Sequence, residues 1–105
     1  MPIVGVNLQN TDAAYRAILH SCHELMLKKN HDYGESWRGM RGTSITDVMM
    51  AKMRRAIQLE TMAETGESPQ VDESLASQFR DIINYAVFRL IKLAEEGVDV
   101  LDITK

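Results

Sequence analysis

Cysteine occurs once in the 105 residues, at Cys22. A single thiol closes no internal disulfide and supports no multi-cysteine zinc site. It suits a reducing compartment, so a cytoplasmic location is the expectation. No apolar run approaches the ~20 residues that a bilayer span requires. The opening stretch MPIVGVNLQN has no basic start followed by an apolar core, so no signal peptide is expected. Positive charge is not in excess either. Twelve Lys and Arg stand against fifteen Asp and Glu, a net charge of −3, whereas a general nucleic-acid binder presents a basic face. His20, His23 and His31 have no metal-ligand spacing with a third partner, so solvated histidines are expected rather than a zinc site. Repeats and low-complexity tracts are missing too.

What is present is an ordinary globular balance, 45% hydrophobic and 26% charged. It predicts one soluble domain over 1–105, with a core at about 11–96 and peripheral ends at 1–9 and 98–105. Turn signals divide that core into three helices. The first spans about 11–29, with Thr11 or Asn10 as its N-cap and Asp12 in its first turn, where negative charge suits the helix dipole. The second spans about 45–64, from a Ser44 N-cap to a left-handed Gly66. The third spans about 71–96, from Val71-Asp72-Glu73 to a stop at Gly97, and the tail VDVLDITK reads as a short extended or loosely docked segment. Nothing reads as a strand, so the class is all-α. A chain this short buries a modest share of its surface, and three helices leave an apolar strip that a homodimer would cover. No membrane partner is expected.

Between the first two helices lies a loop, 30–44. The stretch KKNHDYGESWRGMRGTS, residues 28–44, which runs into and through it, holds the only tryptophan, a tyrosine, five basic residues and three glycines. Lys28, Lys29, Arg38 and Arg41 suit phosphate oxygens, arginine through its two-pronged fork. Trp37 or Tyr33 suits stacking on a base. The blander reading folds Trp37 and Met40 back as an apolar plug while the charges face water.

Two helical faces carry misplaced polarity. At about 100° per residue, Lys52 falls in the middle of the apolar stripe Ile45, Val48, Met49, Met53, Ala56, Leu59, and Glu60 falls beside it. Both either reach water at the stripe's edge or enter a polar pocket between helices. On the third helix Leu75, Phe79, Ile82, Ile83, Ala86 and Leu90 form the apolar stripe. Opposite them run Glu73, Ser77, Asp81, Asn84 and Tyr85, either a solvated face or a row suited to a hydrated magnesium ion or a nucleotide's sugar and phosphates, since hard cations take oxygen ligands.

These segments, KKNHDYGESW from Lys28, ITD from Ile45 with KMRR from Lys52, and Glu73 followed by FRDIINYA from Phe79, together resemble the nucleotide-modification-associated domain type 1 family of bacteria and phages. That family looks like a divergent relative of the all-α nucleoside triphosphate pyrophosphohydrolases, the MazG and dimeric dUTPase group. The resemblance implies a helical bundle, dimeric or larger, in which Glu-x-x-Glu on one helix and Glu-x-x-Asp on the next hold magnesium. The metal-activated water then releases pyrophosphate and leaves a monophosphate. Asp81 matches the aspartate of the second motif, while Gln78 stands where its glutamate would be. The second helix has no Glu-x-x-Glu. The carboxylates left to hold magnesium are Asp81, Glu73, Asp47 and Asp32, with Asp81 and Glu73 as the catalytic pair. Lys52, Arg55, Trp37, Tyr33, Arg41 and Asn84 would bind the nucleotide.

Three readings follow. One is a magnesium-dependent pyrophosphohydrolase of plain or modified (deoxy)nucleotides. Another is a non-catalytic nucleotide-binding or regulatory module linked to nucleotide or DNA modification, in which Lys52 and Arg55 supply the counter-charge instead of a metal. The last is a helical interaction protein with no small-molecule site.

Overall fold

A computed structural model describes residues 5–71 and 73–105. The start of the N-terminal stretch and Asp72, which the sequence places in the third helix's first turn, lie outside the described residues. Three α-helices and one 3-10 turn carry the chain, and no strand occurs among the described residues. The all-α class is borne out. The chain divides into two compact units, Met1–Glu35 and Ser36–Lys105.

The first unit is built on α1, Thr11–Tyr33. Its N-cap is Asn10, whose side chain accepts the amide of Ala13 at 3.1 Å, and Asp12 occupies the first turn and pairs with Arg16 at 3.1 Å. The helix runs one turn beyond the expected end near residue 29. Lys, Asn, His and Asp tolerate helical backbone when nothing stops them, and the stop comes at Gly34, with φ of 70°.

The second unit opens with the 3-10 turn Ser36–Gly39, then α2, Gly42–Glu64, and α3, Leu75–Glu95. The expected long loop 30–44 is therefore short. Helix α2 begins at Gly42 because Arg41 is its N-cap, on extended backbone and with no side-chain cap bond. Ser44 instead donates its amide back to the Arg41 carbonyl at 3.0 Å. Helix α3 starts later than the expected residue 71. Ser74 is its N-cap and accepts the Ser77 amide at 3.0 Å, so Val71 and Glu73 precede the helix.

Both helix ends here are closed alike. The amides of Gly66 and Glu67 return to Ala63 and Met62, and those of Gly97 and Val98 return to Ala94 and Leu93. Each glycine has positive φ, 78° and 96°, the pattern that satisfies carbonyls left over at a C-terminus. The tail beyond Gly97 makes turns rather than an extended segment.

Helices α2 and α3 are antiparallel, since Gly42 lies by Arg89, Lys52 by Asp81, and Arg55 by Glu73. The buried residues of this hairpin and its turn are Trp37, Ile45, Ala56, Leu59 and Gln78. On α2 they follow the stripe the sequence marks, and Glu60 reaches water at its edge. On α3 the outcome is reversed. The supposed apolar stripe is not the side turned to α2: Leu75, Phe79 and Leu90 are 37%, 41% and 46% exposed, while Gln78 on the other side is 4% exposed. The side facing α2 instead carries Gln78, Asp81, Tyr85, Phe88 and Lys92 at three- and four-residue spacing, one face of a helix.

Candidate functional site

The seam between α2 and α3 is ionic. Lys52, on the buried stripe of α2, bonds Asp81 Oδ2 through Nζ at 3.0 Å, with side chains 34% and 15% exposed. One turn further along α2, Arg55 donates Nε–H to Glu73 Oε2 at 2.6 Å and Nη1–H to Gln58 at 3.1 Å. The cation on an apolar stripe thus faces its counter-ion across the seam, as a charge drawn from water must. Gln78 lies buried between the levels of these two pairs.

The carboxylates proposed for magnesium do not form one group. Among the described residues, no three His, Cys, Asp or Glu side chains come together as a metal site. Glu73 and Asp81 are two helical turns apart in sequence, and each faces its own cation. Asp47 is exposed on α2, about 140° around the helix from Lys52. Asp32 belongs to the other unit, where it lies 3.1 Å from His31 Nδ1. A magnesium ion demands near-octahedral oxygens at about 2.0–2.1 Å, and this donor set as it stands does not offer them.

Beyond the seam, Trp37 is 5% exposed. Its ring stacks on Phe88 of α3 with centroids 4.4 Å apart and planes 3° from parallel. The guanidinium of Arg38 covers the other face at 4.3 Å and pairs with Glu95 at 3.1 Å. Tyr85 meets Phe88 edge-on. Both faces of the tryptophan are filled, so the plug reading describes this ring, and a base would stack there only after displacing Arg38. Tyr33, at the end of α1, is 76% exposed. Asn84 is half-buried one turn beyond Asp81, and Arg41 is exposed at the start of α2.

Sequence reasoning missed Phe88 and Arg89. The signal for Phe88 was its place on the row Gln78, Asp81, Tyr85, Phe88, once that row rather than the aliphatic one is taken as the inner face. Arg89 lies against Gly42: a methyl group there would meet Arg89 Nη1 at 2.5 Å. Only a residue without a side chain admits the guanidinium at that position.

No curated protein and no solved structure matches this chain. A family match exists nonetheless. The nucleotide modification associated domain 1 family matches residues 29–93, more than half of the chain and all of α2. The match includes both ionic rungs of the seam, the Trp37 turn and most of α3. On that match, the chain belongs to the nucleotide modification associated domain 1 family.

Proposed function

We propose that this chain is a nucleotide-binding domain that works without a catalytic metal centre of its own. The observation that carries this reading is the seam. The two α3-side carboxylates that metal-dependent hydrolysis would use, Asp81 and Glu73, are each committed to a cation of α2. A nucleotide's phosphates would take Lys52 and Arg55 by exchange, as more highly charged anions with more acceptor oxygens than a carboxylate. Exchange replaces one ionic partner with another, so the expected affinity is modest. Asn84, half-buried one turn beyond Asp81, extends the site towards the sugar. In the test, deoxynucleoside triphosphates bind with a chelator present, and Lys52→Gln weakens that binding. Binding that appears only with magnesium overturns the reading.

The second reading is a magnesium-dependent pyrophosphohydrolase. Asp81 favours it, being the motif match and also the least exposed carboxylate of the seam's ion pairs. Its test is pyrophosphate release lost in Asp81→Ala, and no step can be derived for it from the present donor set. The row Leu75, Phe79, Leu90 supports a second copy of the chain as partner. A homodimer would bury that row, as apolar surface of this extent favours.

A further inference from the structure

We infer that the far end of the helical hairpin is a second, separate anion site, built to hold a phosphate group. It is a cavity of about 400 Å³ lined by Met40, Arg41, Gly42, Thr43, Arg89, Lys92 and Glu96. Gly42 precedes Lys52 by ten residues, about 15 Å along α2, so the seam and this cavity are different places.

Three observations meet there. The first is charge. Arg41, Arg89 and Lys92 face one acid, Glu96, at the end of α2 where the helix dipole adds about half a positive charge. The neighbouring end of α3, with Lys92 in its last turn, carries the opposite half-charge, so the excess left for an anion is that of the side chains. The second is an unmet donor. Arg89 Nη1 is buried and has no hydrogen-bond partner, although buried donors are nearly always paired. It lies over the first residue of α2, close enough that a methyl group on Gly42 would come within 2.5 Å. The third is an open helix start. No side chain caps α2, so first-turn amides that have no intrahelical acceptor are left for an outside one. Lys92 gives one ammonium hydrogen to the Arg38 carbonyl at 2.8 Å and keeps two others.

The donors therefore come from three directions: a guanidinium fork, an ammonium and backbone amides. A planar carboxylate offers two oxygens and one charge. A phosphate monoester or free phosphate offers three or more oxygens in a tetrahedron and a charge near −2 at neutral pH, which balances the net excess in the cavity.

The test is an amide-resolved NMR titration of the whole chain, at constant ionic strength, with inorganic phosphate and separately with ribose 5-phosphate. Gly42 and Thr43 amides are expected to shift and saturate. The apparent Kd should rise by at least about tenfold in Arg89→Gln, a loss typical of one charge-assisted contact, and should hold in Lys52→Gln. Arg89→Lys keeps the charge but removes the guanidinium fork, so it should show a loss as well even if Arg89→Gln folds poorly. Tighter binding of the ester assigns an esterified phosphate, and equal or tighter binding of the inorganic ion assigns free phosphate. Shifts that climb without saturating, or that saturate alike in wild type, Arg89→Gln and Arg89→Lys, overturn the inference. A Lys52→Gln variant that loses this binding overturns the separateness of the two sites.

Discussion

Lys52 occupies the centre of an apolar helical stripe, where a charge persists only with a partner. Its partner Asp81 keeps 15% of its side-chain surface in contact with water. The pair therefore stands between the exposed kind, worth up to about 1 kcal/mol, and the buried kind, whose disruption costs about 3–5 kcal/mol. Lys52→Ala is expected to lower stability by about 1–2 kcal/mol in urea unfolding, because Asp81 stays drawn from water with less compensation. The Arg55–Glu73 pair is shorter at 2.6 Å but more open, with side chains 30% and 31% exposed. A double-mutant cycle on it should return a coupling of about 1 kcal/mol or less. Trp37, enclosed by Phe88 and Arg38, is expected to cost about 3 kcal/mol or more when cut to alanine. As the only tryptophan it also reports on itself: its fluorescence should shift to the red on unfolding and move little when a nucleotide binds at the seam.

At the scale of helices, the ends were legible where a side chain or a glycine marks them. Asn10 with Asp12, Gly66 and Gly97 all sit where local chemistry puts them. Gly66→Ala and Gly97→Ala should each cost about 1–2 kcal/mol, the penalty of a left-handed residue carrying Cβ, measurable by thermal unfolding. The start of α2 was not legible, because Arg41 caps it without any side-chain bond and Ser44 is the more familiar N-cap. The start of α3 was hidden by Val71 to Glu73, an acidic run that looks like a first turn, although Ser74 is the residue that accepts the amide. The ionic seam was half legible. Period and charge placed Lys52 on the inner face, but they did not say which stripe of α3 would meet it. Two candidate faces exist on that helix, one aliphatic and one mixed with aromatics. The choice is made by tertiary packing, here by Trp37 on Phe88 and by the two ion pairs, and no local propensity encodes it.

For the molecule as a whole, the choice of inner face has a consequence. Packing the mixed face of α3 against α2 leaves Phe79, Val87 and Leu90 41–46% exposed, with Met50 and Ile57 of α2 at 50% and 55%. A homodimer is the proposed cover. Light scattering should give twice the 11.9 kDa of one chain, and Leu90→Glu with Phe79→Glu should return the mass of a monomer without loss of helicity. If the wild-type chain runs as a monomer at micromolar concentration, that proposal fails. The chain belongs to the nucleotide modification associated domain 1 family, Lys52 and Arg55 stand in the seam, and among the described residues no three metal-ligating side chains come together. The most direct test of that account is calorimetric titration of deoxynucleoside triphosphates into the wild-type chain and Lys52→Gln, first in chelator and then in magnesium, with pyrophosphate followed in the same samples. The account predicts saturable binding in chelator, weakened by about tenfold or more in Lys52→Gln, and no pyrophosphate in either buffer. Binding that requires magnesium, accompanied by pyrophosphate release that Asp81→Ala abolishes, would contradict it and make the chain a hydrolase.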